Sequence, residues 1–174
     1  FDGNSFILDK NGSKIKQLKS FSEDLSSWEI EQTKPEKNEF ENSEMSSIFD
    51  ALVLGVKDYA KKCGFKTALV GLSGGIDSAL VSAIATAALG SENVYCVSMP
   101  SKWSSSHSKS DAKDLARRLK ISFKSIPIEN LMTSFEESFI KTIDFEMAEI
   151  TNQNIQSRIR GTLLMALANQ ERHL

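Results

Sequence analysis

Residues 67–90, TALVGLSGGIDSALVSAIATAALG, change periodicity across a pair of glycines. As far as Leu72 the run is aliphatic and β-branched, the composition of a strand covered on both faces; from Ser78 to Leu89 it is alanine-rich with helical spacing. A strand that feeds a helix in this way must find layers above and below it, so the rest of the chain has to continue as alternating strands and helices. It does. Residues 93–99 and 121–128 read as further strands, and 108–119, 131–140 and 152–168 as helices, the last with Ile155, Ile159, Leu163 and Ala166 along one stripe. Ahead of them Ile48, Leu52, Val56 and Tyr59 recur at helical spacing before Gly64, where a helix commonly stops. The expected fold is α/β, a doubly wound parallel sheet with right-handed crossovers.

The front of the chain reads differently. Residues 4–17, NSFILDKNGSKIKQ, form two short strands around Asn11-Gly12, a hairpin signal because both residues tolerate positive φ. A lone hairpin is only marginally stable, so it is expected to belong to a sheet whose other strands lie upstream of Phe1. The following stretch is rich in Glu, Lys, Ser and Asn and contains Pro35, which marks a linker. The expected division is therefore 1–22, 23–43 and 44–174.

At 40% hydrophobic and 25% charged residues the composition is that of a soluble globular protein, and a net charge of -2 gives no general attraction to nucleic acid or to a membrane surface. Lysines and arginines are interspersed with acids rather than gathered in stripes. Cys63 and Cys96 lack metal-ligand spacing, so both are expected to be buried thiols in a reducing, cytoplasmic compartment. With Phe1 in place of an initiator Met and no signal-like or membrane-length apolar run, the chain is expected to be an interior piece of a longer cytoplasmic protein.

In an open parallel sheet, ligands bind beyond the carboxyl ends of the strands, and SGGIDS, residues 73–78, occupies such an end. Gly74 and Gly75 allow a tight turn that brings amides close to an anion, the next helix offers unpaired N–H groups, and Ser73 and Ser78 add hydroxyls. That set suits phosphate. It is neither a Walker A loop, since residues 72–80 contain no lysine, nor a GxGxxG fingerprint. Asp77 beside a phosphate makes sense as a ligand to Mg2+; the plainer reading is a strand-to-helix turn with a carboxylate at the helix start. Met99, before Pro100, suits either the adenosine side of a nucleotide site or the core. Residues 104–108, with a solvent-facing His107, read as a loop over the ligands.

SGGIDS resembles the pyrophosphate loop of the ATP pyrophosphatase superfamily, which cleaves ATP between the α and β phosphates. VSMPSKWSSSHSKSDAKDLARRL, residues 97–119, and ITNQNIQSRIRGTLLMALANQ, residues 150–170, are similar to segments of NAD synthetases, and residues 1–25 resemble the closing hairpin of the nitrilase-like glutaminase domain of the glutamine-dependent members. The resemblance implies a Rossmann-like domain, adenine nucleotide alpha hydrolase-like, that amidates deamido-NAD to NAD+ through an acyl-adenylate, using ATP and Mg2+ and ammonia from glutamine. It implies ATP and pyrophosphate contacts at Gly71, Leu72, Ser73, Gly74, Gly75, Ile76, Asp77, Ser78 and Met99, with Ser73, Asp77 and Ser78 catalytic and Asp77 the metal ligand. Asn154 and Arg158 or Arg160 would meet deamido-NAD; Asn154 and Arg158 share a helix face and Arg160 points elsewhere. Two arginines on the solvated face of an amphipathic helix would look the same in sequence. The partners implied are small molecules and further copies of the chain in a homo-oligomer, to which 163–167 would contribute, with no nucleic acid or membrane. The family continues past Leu174 into a lysine-containing loop, so these residues alone are expected to turn over slowly if at all. A GMP-synthetase-like ligase or a non-catalytic adenine-nucleotide module could carry the same loop.

Overall fold

The computed structural model describes residues 2–29, 43–143 and 148–174. Residues 30–42, most of the expected linker 23–43, lie outside that set. The chain divides into two compact units, Phe1–Gly55 and Val56–Leu174.

In the first unit β1 (Phe6–Leu8) pairs antiparallel with β2 (Lys14–Gln17), as Asn11-Gly12 predicts. The turn itself differs from the expected one. Only Gly12 has positive φ, at 83°, and Asn11 does not. The Asp9 carboxylate instead accepts 2.8 Å bonds from the Asn11 and Ser13 amides, so an aspartate-centred loop sets the register.

The helix expected ahead of the first parallel strand is α1 (Glu44–Cys63), closed by Gly64 at φ 77°. Its periodicity marks the helix correctly but not its covered side: Ile48, Leu52 and Tyr59 remain about half exposed, while Ala60 is buried. Cys63 is exposed, against expectation, because it sits at the polar end of this helix. Cys96 is buried as expected, and burial pushes its thiol pKa up.

The second unit is the α/β layer. β3 (Ala68–Gly71), α2 (Ile76–Leu89), β4 (Val94–Ser98), α3 (Ser106–Leu119) and β5 (Ser122–Ser125) alternate, with strands parallel in the order β3-β4-β5. Then come α4 (Glu129–Ile143) and α5 (Glu149–Glu171). Alternate residues of β4 face opposite ways. Val94 and Cys96 join Leu72, Ala85, Ala112 and Ala116 against α2 and α3, whereas Val97, with Met99 just beyond the strand, joins Ile128, Met132 and Ile159 against α4 and α5. The sheet is thus covered on both sides, as the aliphatic runs require. The third strand is shorter than 121–128: the Ile126 and Ile128 amides still donate to the carbonyls of Ser98 and Pro100, in step with the ladder, but Pro100 has no N–H to return a bond. The α5 stripe also shifts: Ile155, Ile159 and Leu163 pack, but Leu164 and Leu167 replace Ala166, which is exposed.

Ile128 has no solvent exposure and sits where β5, α4 and α5 meet. Ile128→Ala is expected to cost about 2–5 kcal/mol, through lost transfer energy plus the cavity left, measurable by urea unfolding. His173, which carries no sequence signal, is buried. Its ring nitrogens lie 2.7 Å from Thr67 Oγ1 and 2.9 Å from Glu171 Oε2, and its ring packs against Tyr95 at 4.7 Å. Beside it the Leu174 amide donates to the Thr67 carbonyl and the Leu174 carbonyl accepts from the Leu69 amide.

Candidate functional site

The end of β3 opens onto a cleft of about 330 Å3 between the helical layers. Gly71, Leu72 and Ser73 form one side, and Val97 to Pro100, at the end of β4, the floor. Ser104, Ser108 and Lys109 reach it from the start of α3, and Arg160 and Leu164 from α5. A Cβ at Gly71 would stand 3.0 Å from Leu164 Cδ1, so a larger residue there would have to displace that side chain. No acidic side chain lines the cleft.

The loop that leaves Ser73 is braced from within. Ser73 Oγ accepts from the Gly75 amide at 3.1 Å and lies 3.0 Å from Ser78 Oγ. Ser78 Oγ accepts from the Ser73 amide at 3.2 Å and donates to the Gly75 carbonyl at 3.0 Å. The two hydroxyls are therefore occupied in holding the turn. What the turn leaves open is the start of α2: Gly75 stands at the N-cap position, with no side chain to cap the first turn. Amides in such a turn have no intrahelical acceptor, and the helix dipole adds positive potential. An anion is the natural cap. The start of α3 shows the contrast, for there Ser105 caps by accepting from the Ser108 amide at 3.0 Å.

Gly74 joins the two helix starts. Its φ is 86°, and a Cβ there would lie 2.8 Å from the Ser108 carbonyl carbon and closer still to its oxygen. The loop thus lies against the first turn of α3, which begins at Ser106. The expected loop 104–108 is consequently reduced to its first part, with Ser106, His107 and Ser108 helical, and His107 exposed as expected.

Asp77 is exposed on the first turn of α2 and makes no hydrogen bond or ion pair among the described residues. No group of three or more His, Cys, Asp or Glu among those residues could hold a metal unaided. Mg2+ is commonly held by one or two carboxylates together with substrate phosphates, so a single free carboxylate beside an uncapped helix start fits it.

The two arginines of α5 part company. Arg160 lines the cleft, its Nε donating to the Met99 carbonyl at 3.0 Å and its Nη2 to Gln156 Oε1 at 3.3 Å. Burial lowers its pKa, a cost that an anionic ligand would offset. Arg158 turns back along the helix to the Asn154 carbonyl at 3.2 Å and borders a separate apolar groove with Leu131 and Phe135. Asn154 and Arg158 lie outside the cleft lining. Met99 is in the core at 7% exposure and also lines the cleft. Ser104 and Ser108 bound the segment expected to lie over ligands, and both line the cleft, whereas Lys109 and Leu164 were not expected there. Lys109 and Leu164 carry no local signal, since only the crossing of α3 and α5 over the strand ends brings them there.

A family model described as NAD synthase matches residues 48–174, most of the chain and all of this site. The chain belongs to the NAD synthase family. The glutamine-dependent NAD(+) synthetase of Synechocystis sp. is 43% identical over the whole chain, which spans 32% of that relative. The glutamine-dependent NAD+ synthetase of Acinetobacter baumannii, solved with adenosine diphosphate, superposes with a TM-score of 0.92 at 37% identity, over 100% of this chain and 34% of its own. NMN synthetase from Francisella tularensis superposes at 0.68 and 26% identity, over 76% of this chain and 53% of its own. This NAD synthase family chain therefore spans about a third of the length of its glutamine-dependent relatives. No helix among its described residues is long and apolar enough to cross a membrane.

Proposed function

We propose that the protein amidates deamido-NAD to NAD+ at the expense of ATP, with ammonia drawn from glutamine hydrolysed in an upstream domain. The observation that carries the reading is the braced SGGIDS turn, whose uncapped helix start adjoins a cleft with cationic lining and no carboxylate, in a chain of this family. It is supported by the activity named for the Synechocystis relative and by the ADP bound in the Acinetobacter structure.

A carboxylate does not react with ammonia because its leaving group would be oxide. Attack of the nicotinate carboxylate oxygen on the α-phosphorus of ATP forms an acyl-adenylate and breaks the bond to the α–β bridging oxygen, which leaves with pyrophosphate. Ammonia then adds to the acyl carbon, loses a proton, and AMP departs with the electron pair of the C–O bond. The chain's part in this is positioning and charge neutralisation rather than covalent chemistry. The first amides of α2 would receive the pyrophosphate, with Ser73 and Ser78 keeping the turn in shape. Arg160, fixed by the Met99 carbonyl, would neutralise charge near the α-phosphate, and Met99 and Leu164 would offer adenosine an apolar wall. Asp77 would hold Mg2+, which supplies further neutralisation of phosphate charge when bound. Asn154 and Arg158 would meet the dinucleotide beyond the cleft. The β1–β2 hairpin would close the glutaminase domain, a placement supported by the match of the whole chain to the Acinetobacter enzyme.

The test supplies the protein with MgATP, deamido-NAD and either glutamine or ammonium. Expected are NAD+, AMP and pyrophosphate in equal amounts. Turnover with nicotinate mononucleotide or xanthosine monophosphate in place of deamido-NAD would refute the substrate assignment, and ATP binding without pyrophosphate release would refute the enzyme.

A further inference from the structure

The SGGIDS loop contains no lysine, yet in other phosphate-cradling loops a lysine reaches the outer phosphates. Among the described residues one lysine lines the cleft, from another element. Lys109 enters from α3, which belongs to the opposite helical layer from the α5 residue Arg160. The two cations also flank different strand ends. Arg160 is bonded to the Met99 carbonyl, past β4, whereas Lys109 follows Ser108, whose backbone is packed against Gly74 in the turn past β3. No carboxylate among the described residues pairs with Lys109: Asp114, one turn further along α3, pairs with Arg117. A lysine ammonium can meet a terminal phosphate group as a compact point charge on a flexible stem.

We propose that Lys109 is the group by which this cleft distinguishes nucleoside triphosphate and pyrophosphate from nucleoside monophosphate, by engaging the phosphates that become the leaving group. The inference rests on the nucleotide reading of the cleft and deepens it. Arg160 would then serve the phosphate that stays with the nucleoside, and Lys109 the two that depart.

Binding of inorganic pyrophosphate, ATP and AMP, each with magnesium, is to be measured calorimetrically on the whole protein and on its Lys109→Met and Lys109→Arg variants. Lys109 is an exposed side chain on a helix surface, and circular dichroism checks that both variants fold. Lys109→Met is expected to weaken pyrophosphate and ATP about tenfold while AMP changes by less than about twofold, and Lys109→Arg to recover most of the loss. The ATP affinity of the methionine variant should also fall less steeply with salt. Unchanged pyrophosphate and ATP affinities, equal weakening of AMP, or no pyrophosphate binding by the unmodified protein would each overturn the assignment. The amidation reading is scored separately: NAD+ formation with no effect of Lys109 leaves that reading standing and removes this one, and the converse pattern does the reverse.

Discussion

Asp77→Ala is expected to slow ATP-dependent pyrophosphate release by more than about a thousandfold. Loss of a single preorganised hydrogen-bond donor at a site of developing charge typically costs about a hundred- to a thousandfold. Asp77 should exceed this because, in the proposed role, its removal would also release the metal, and no other cluster of ligating side chains among the described residues can substitute. Stability moves the other way in scale: an exposed carboxylate in the first turn of a helix is worth only about 0.3–1 kcal/mol. A large kinetic loss with a near-normal melting curve is therefore the expected pair of results. Asp77→Asn, of equal size, should lose nearly as much activity and should raise the magnesium concentration needed for half-maximal rate. A variant with the original rate, or one whose magnesium dependence is unchanged, would remove Asp77 from the metal role.

Gly74→Ala is expected to impair folding and binding together. The left-handed backbone alone costs a non-glycine residue about 1–3 kcal/mol. The added methyl would also collide with the Ser108 carbonyl, which is backbone and cannot rotate aside. The turn and the start of α3 must then separate, which spoils the serine brace and moves Lys109 away from Ser73. Thermal unfolding should show the strain, and ATP affinity should fall by more than about tenfold. Gly75→Ala is the control, because φ at Gly75 is −87° and its nearest outside atom is the Ser73 hydroxyl at 3.3 Å. Equal stability and affinity for the two variants would show that the Gly74 contact does not matter.

The α/β layer was legible because its strands are covered on both faces and so read as aliphatic runs. Thr67 to Leu72 and the Val94–Ser98 stretch needed no tertiary information to be recognised. Strand ends were less legible. Ile126 and Ile128 look like strand residues and do donate to the carbonyls of Ser98 and Pro100, but Pro100, on the neighbouring strand end, has no N–H with which to continue the ladder. In the site, glycine and serine at fixed offsets announced a tight turn between strand and helix, and its local hydrogen bonds show that turn. The roles of the hydroxyls were not visible, since only the fold shows Ser73 and Ser78 bonded to each other. Helical spacing separated Arg160 from Asn154 and Arg158 correctly. Spacing alone, however, could not say which side of α5 meets the strand ends, and it is Arg160 that does. Lys109 was invisible for the same reason, one lysine of a charged helix with nothing local to mark it.

Among the described residues β3 has hydrogen-bonding neighbours on both flanks, β4 with Val97 on one side and Leu174 on the other. An unpaired strand flank is a template on which foreign chains add. Among the described residues the strand that carries the SGGIDS turn has both flanks engaged, and β5 is the strand paired on one flank alone. That short strand, Ser122–Ser125, includes Lys124 and two serines, features that discourage edge-to-edge association between molecules.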